Sequence, residues 1–166
     1  NQRAGSLDLL LQAMREKNEA LFNAIFYPYA NSIFDSDYLH NTDLNLLSKD
    51  WRIKFQISGR IPEFQEVQRT LAKKEYFIPA KIIAIQYGLL SERAYAMLFD
   101  LCVQYGPTGA DHKTSGAYMI VAYDSISKPE EKKVLAKLAE LSDTHEYDGN
   151  RRHNILNDPE LSDEPF

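Results

Sequence analysis

Two polar side chains interrupt an otherwise apolar run and are the first candidates for chemistry. Asp100 and Gln104 lie four residues apart within SERAYAMLFDLCVQYG, so a helix would place both on one face. Arg93, seven residues before Asp100, falls near the same face. A buried carboxylate without a partner is too costly to keep, so Asp100 must meet a cation, water or a ligand.

Two interpretations of this face are open. In the first, which elementary physics favours, the face is a polar stripe that meets water or a buried aspartate paired with an arginine. In the second, the helix forms the floor of a cleft, and Asp100 and Gln104 point at a polar ligand. Arg151 and Arg152 follow a turn predicted at Asp148-Gly149, and one of these two arginines could reach Asp100. A clamp for phosphate or carboxylate is the alternative for the arginine pair.

Other chemistry-bearing residues give weaker signals. Trp51 lies on an amphipathic segment, where tryptophan is more often core, although its ring can also stack on sugars. Cys102 stands between Leu101 and Val103, which favours a buried structural cysteine. The histidines are far apart and none has a partner at metal-ligand spacing, so neither a metal nor a cofactor is expected; they are His40, His112, His145 and His153.

Composition bounds the class of protein. The chain has 166 residues, 44% hydrophobic and 26% charged, which is typical of one folded domain. The net charge of −5 argues against a non-specific nucleic-acid binder. No run approaches the length of a membrane span, so none is predicted. The start, NQRAGSLD, has neither a signal-peptide pattern nor an initiator methionine, which indicates a processed product or a piece of a larger protein.

Apolar periodicity predicts an all-α single domain over residues 1–157. Ser6 is expected to cap the first helix, Pro28 to end the second, and Gly59 and Pro62 to separate the next two. A helix is expected over 44–57, with Leu47, Trp51 and Phe55 on one stripe. A long helix is expected over 63–87, with a kink at Pro79.

The second half of the chain is predicted in the same way. A helix should begin after Ser91 and end at Gly106, followed by a loop over 106–116 and a short helix after it. Ser127 and Glu130 have the spacing of a capping box for the helix that follows. Residues around 150–156 should add a last turn or two. The acidic, proline-containing end, 158–166, is expected to be a flexible tail.

Residues 51–106 also carry a set of motifs that resembles a known group of enzymes. The motifs are Trp51 with Phe55; Gly59-Arg60 and Pro62-Glu63-Phe64-Gln65 with Gln68; Tyr87-Gly88-Leu89 and Ser91-Glu92-Arg93-Ala94; and Phe99-Asp100 with Val103-Gln104 and Gly106. They look like the helical lobe of chitosanase-like peptidoglycan hydrolase domains of bacteria and bacteriophages, in the lysozyme-like superfamily. The opening segment and NRRHNIL are also similar, so the resemblance covers most of residues 4–157.

The resemblance implies a glycoside hydrolase that cleaves β-1,4 bonds in amino-sugar polymers such as peptidoglycan or chitosan. It implies that Asp100 and Gln104 line or brace the saccharide cleft, and that Arg151 or Arg152 pairs with Asp100. The implied partner is a polysaccharide substrate, and the implied location is extracytoplasmic or in the cell envelope.

The sequence departs from this group at the catalytic acid. In such domains the acid precedes a short glycine-rich, aromatic segment, which in turn precedes the counterpart of Gly5-Ser6-Leu7. Neither stands in the sequence from Asn1 onward, so the catalytic residue is unknown, and an upstream segment or partner chain is expected to complete the active site. The alternatives are a non-catalytic helical module that binds glycan or assembles a phage-like or secreted particle, and an intracellular helical adaptor.

Overall fold

The structure is a computed structural model that describes residues 2–30, 49–125, 127–142 and 151–165. The all-α prediction is confirmed, since the described residues contain helices and no strand. The helices are α1 (Gln2–Lys17), α2 (Glu19–Phe26), α3 (Lys49–Ser58), α4 (Pro62–Ala72), α5 (Ile78–Tyr87), α6 (Glu92–Tyr123), α7 (Glu131–Ser142) and α8 (Arg151–Asn157). The predictions for Leu47, His40, His145 and the Asp148-Gly149 turn lie outside the described residues.

The predicted domain divides into two compact units, unit 1 (Asn1–Ala72) and unit 2 (Lys73–Phe166). The core of unit 1 is built from α1 to α4 and is aromatic. Its largest buried side chains are Phe22, Phe26, Trp51 and Phe64. The rings of Phe26 and Trp51 lie 5.9 Å apart between centroids, within the range in which aromatic pairs attract.

Unit 2 is organised around α6, whose buried face packs against α5 and α7. The buried apolar residues of its first half recur at helical spacing, namely Ala94, Met97, Leu98, Leu101 and Cys102. Leu135 and Leu138 of α7 complete the same core. α6 also contacts α8, which carries the two candidate arginines.

α6 continues past the point where the sequence predicts a loop. Gly106 breaks the helical geometry with φ 73° and ψ 164°, and helix resumes at Pro107. Proline is well placed at the first position of a helix, because its missing N–H has no partner there anyway. Ala110, Thr114, Ala117 and Val121 then form a buried stripe, so the predicted loop over 106–116 is wrong although the break at Gly106 is confirmed.

The predicted kink at Pro79 is replaced by a wider turn just before it. Residues Lys73–Phe77 form a π-helical turn (the π-turn) between α4 and α5. A proline in a helix removes one N–H and its ring crowds the carbonyl four residues earlier, here that of Glu75. That carbonyl lies inside the π-turn. The π-helical hydrogen bonds therefore occur at the position where the proline prevents the regular α-helical hydrogen bond.

Most predicted helix ends are confirmed. α3 ends at Ser58 and α4 begins at Pro62, on either side of Gly59. Gly88 ends α5 in the left-handed conformation, with φ 67°. The Ser91 side chain accepts a hydrogen bond from the Ala94 N–H at 3.1 Å and caps α6.

Two predicted caps are wrong. α1 already begins at Gln2, so Ser6 lies within the helix and is not its N-cap. α7 begins at Glu131, four residues after Ser127, so Ser127 is not the residue that precedes the helix.

The C-terminal segment (residues 158–165) is held against α6 rather than being a flexible tail. The Arg93 guanidinium donates to the backbone carbonyls of Ile155, Asp158 and Leu161 at 2.6–2.9 Å. It also donates to the Asp163 carboxylate at 2.6 Å. The acidic composition of the segment predicted a flexible tail, but one of its acidic residues, Asp163, is the ion-pair partner of Arg93.

Candidate functional site

The candidate site is a polar cluster between α6 and α8 within unit 2. Asp100 and Gln104 share one face of α6, as their spacing predicted, and adjacent residues of α8 supply Arg151 and Arg152. Arg151 donates through Nη2 to Asp100 Oδ1, and Arg152 donates through Nη2 to Gln104 Oε1. Arg152 Nη2 also lies 3.3 Å from Asp100 Oδ2. The structure thus brings four of the five predicted residues together; we call them the Asp100 cluster.

Burial divides the cluster into an inner and an outer part. The Arg152 side chain is 0% exposed and that of Asp100 is 9% exposed, so this charge pair lies in the interior. The Arg151 side chain is 52% exposed, although its Nη2 bonds Asp100. One edge of the Arg151 guanidinium is therefore fixed by Asp100 while the rest meets solvent.

An aromatic residue that the sequence did not single out completes the inner part. The Arg152 guanidinium lies over the Tyr105 ring, 5.4 Å from its centroid, and Lys113 Nζ lies 4.4 Å from the same centroid. An aromatic face attracts cations, which helps a fully buried guanidinium. The only signal for Tyr105 was its position directly after Gln104.

The geometry decides which chemistry Asp100 can perform. One carboxylate oxygen accepts from Arg151 and the other faces Arg152, so neither oxygen is placed to meet a glycosidic oxygen. A general acid in a glycosidase must reach the leaving oxygen. Asp100 therefore acts as a brace that orients two guanidinium groups, and Arg151 presents donors to whatever lies outside.

Trp51 lies elsewhere, in the core of unit 1. It is 1% exposed, and its indole packs against Tyr29, Phe26 and Phe55. A fully buried indole has no free face on which a sugar could stack, which favours the core alternative for this residue. Sequence spacing alone placed Trp51 on an apolar stripe and could not tell the two roles apart.

Arg93 and Cys102 also have structural roles. The Arg93 guanidinium donates hydrogen bonds to backbone carbonyls at the end of α8 and in the C-terminal segment, and to the Asp163 carboxylate. Cys102 is buried in the core of unit 2, and burial raises the pKa of its thiol to about 11. A thiol with that pKa is a poor nucleophile at neutral pH. Across the described ranges, no group of three or more potential ligands is arranged to hold a metal ion.

A second feature of unit 2 was not predicted. A pocket of about 270 Å³ is lined by Phe77, Glu92, Tyr95, Ala96, Phe99 and Leu161. Four of these residues lie on α6 with the spacing of one helical face. Glu92, Tyr95 and Phe99 recur at intervals of three and four residues, and that spacing was the signal that could have found them.

Comparisons with known proteins provide no relative for this chain. No protein-family model matches it, and no curated protein or solved structure does so. Among the described helices, none is long and apolar enough to cross a membrane.

Proposed function

We propose that the chain binds β-1,4-linked amino-sugar polymers through the outer edge of Arg151 and is the helical part of a glycoside hydrolase that acts on them. The observation that carries the proposal is the Asp100 cluster, which holds a half-exposed guanidinium in a fixed orientation at the surface of unit 2. The hydrolase class rests on the resemblance of the motifs that surround Asp100 and Gln104.

The chemistry of Arg151 favours one polymer over the other. A guanidinium donates to sugar hydroxyl groups and forms its strongest hydrogen bonds with carboxylates. Peptidoglycan carries free carboxylates on its peptides, whereas chitosan carries cationic amines that would repel Arg151. Because Asp100 already restricts the Arg151 side chain, less conformational entropy is lost when a ligand binds. Peptidoglycan is therefore the preferred ligand.

The alternative is a non-catalytic glycan-binding or assembly module, and one observation favours it. In the described part of unit 2, Asp100 is the one carboxylate of the cluster, and both of its oxygens face guanidinium groups. Glycoside cleavage normally needs a pair of carboxyl groups on either side of the scissile bond. A binding module needs only the guanidinium.

Incubation of the full-length gene product with purified cell walls, and separately with chitosan, distinguishes these functions. Soluble reducing ends and co-sedimented protein are measured in the same samples. We expect co-sedimentation with cell walls and release of reducing ends. Co-sedimentation without release would identify the binding module, and the absence of both would overturn the proposal.

A further inference from the structure

The pocket next to α6 combines apolar walls with a single charged side chain. Ala96, Tyr95 and Phe99 form the α6 wall, Phe77 comes from the π-turn, and Leu161 comes from the C-terminal segment. Glu92 is the one charged residue among the six that line it. At about 270 Å³ the pocket lies just below the range of roughly 300–1,000 Å³ that small-molecule sites occupy, so it fits a compact ligand.

Arg93, the residue after Glu92, directs its guanidinium to the Leu161 carbonyl and the Asp163 carboxylate rather than to Glu92. Glu92 Oε2 accepts a hydrogen bond from the Ser162 N–H at 3.2 Å, and no ion pair of Glu92 occurs among the residues that the structure describes. An ionised carboxylate has acceptor positions beyond the one that Ser162 fills. The overall charge of −5 adds to the attraction for a positive ligand.

The aromatic side chains reinforce this preference. The rings of Phe77 and Phe99 meet edge to face, with their centroids 6.4 Å apart, and Tyr95 lies beside them. Aromatic faces attract organic cations, and they also bury apolar surface. A carboxylate at an aromatic pocket is therefore suited to a ligand with a positive nitrogen on an apolar body.

We propose that this pocket binds a small organic ammonium compound, with its apolar body against the aromatic side chains and its nitrogen at Glu92. The inference does not depend on the proposed glycan function, because no residue of the Asp100 cluster lines the pocket. The C-terminal segment belongs to the site, since Leu161 forms a wall and Arg93 holds the Leu161 carbonyl at 2.6 Å.

Titration of the chain with 2-phenylethylamine and with the neutral 2-phenylethanol tests the proposal. The two probes have nearly the same size and shape, and binding is followed by NMR chemical shifts at pH 7 and moderate salt. We expect the amine to bind about tenfold more tightly, because its ammonium pairs with the carboxylate. Equal affinities for the two probes, or no binding of either, would overturn the proposal.

Two variants locate the binding. Glu92→Gln keeps the acceptor for the Ser162 N–H but removes the charge, so the preference for the amine should disappear while the alcohol binds as before. Glu160→Gln removes an exposed charge of the C-terminal segment that does not line the pocket, and it should change neither affinity. An equal loss of amine binding in both variants would indicate general charge attraction and contradict the site.

A third variant keeps the test decisive if Glu92→Gln proves unstable. Ala96→Leu adds side-chain volume to the pocket wall, and Ala96 is partly exposed, so the core should tolerate the change. The affinity for both probes should fall by at least about tenfold, while the thermal unfolding transition of the variant remains cooperative. Unchanged binding to this folded variant would place the ligand elsewhere.

Discussion

At the residue scale, Asp100 is the side chain on which most interactions of the cluster depend. Two guanidinium groups face it, and one of them belongs to the fully buried Arg152. Removal of one partner of a buried ion pair is costly because it leaves the other charge without compensation. Asp100 should therefore matter more for stability than any exposed carboxylate of the chain.

We expect Asp100→Ala to lower the free energy of unfolding by about 3 kcal/mol, measured by urea denaturation. Glu160→Ala is the control, because its exposed side chain has no role in the cluster, and it should change stability by less than about 0.5 kcal/mol. The double variant Asp100→Leu, Arg152→Met should lose less than Asp100→Ala, since no uncompensated charge then remains in the interior. If Asp100→Ala lost as little unfolding free energy as Glu160→Ala, Asp100 would not be the residue that stabilises the two guanidinium groups.

The residues of the cluster show where sequence reasoning succeeds and where it ends. The four-residue spacing of Asp100 and Gln104 predicted their common face because helix geometry is local. The pairing with Arg151 spans 51 positions, and only the resemblance and charge complementarity suggested it. Nothing local distinguished Arg151 as the exposed arginine and Arg152 as the buried one, because that depends on how α8 packs on α6.

At the element scale, α6 shows that a proline and several glycines can make a helical segment look like a loop in the sequence. The stretch from Gly106 to Gly116 has a loop-like composition, yet Pro107 starts a helix and a buried stripe from Ala110 to Val121 continues it. Tertiary packing of that stripe outweighs the low helix propensity of Gly109 and Gly116. The break itself was predictable, because only glycine readily adopts the φ of 73° found at Gly106.

Gly106 and Gly116 of α6 should respond in opposite directions to alanine. Gly106→Ala forces a side chain into a positive-φ conformation, and we expect a loss of about 1–2 kcal/mol in unfolding free energy. Gly116 lies in the helix, and among the described residues the space that a Cβ would occupy there is open, so Gly116→Ala should gain roughly 0.5–1 kcal/mol. Thermal unfolding of both variants measures these two changes in stability. A Gly106→Ala variant that is more stable than the wild type would contradict the positive-φ conformation at Gly106.

The C-terminal segment should loosen in acid. The hydrogen bond from Arg93 lowers the pKa of Asp163 below its usual value, so the ionised form is favoured when the segment is docked. The contribution of this pair is fully present above the ordinary aspartate pKa and is lost as the pH falls through the lowered value. The Ser162 amide should therefore be protected from hydrogen exchange at neutral pH. At low pH its protection factor, which already corrects for the pH dependence of the intrinsic exchange rate, should be smaller.

Asp163→Asn is the matched variant for this pH dependence. It keeps the size of the side chain but removes the titrating group, so the Ser162 amide should exchange faster at neutral pH and show little further loss of protection in acid. The same acid dependence in Asp163→Asn would show that the Arg93–Asp163 pair is not its cause.

At the scale of the whole molecule, the chain consists of two units, each with its own hydrophobic core. Composition and periodicity were sufficient for the all-α class, because amphipathic spacing recurs along most of the sequence. The division at residue 72 was not predicted, since the helical pattern runs through it without a linker. All residues of the Asp100 cluster belong to unit 2, so the proposed glycan contact can be tested by changes in that unit alone.

We propose that Arg151, held by Asp100, contacts a peptidoglycan-type glycan. The most direct measurement is the affinity of the full chain for purified peptidoglycan, compared between wild type, Arg151→Ala and Arg52→Ala. Arg52 is an exposed arginine on α3, so its removal changes the net charge equally. We predict that Arg151→Ala weakens binding by about tenfold or more, with a cooperative unfolding transition retained, and that Arg52→Ala binds within about twofold of wild type. Unchanged binding by Arg151→Ala, or an equal loss in both variants, would contradict the claim.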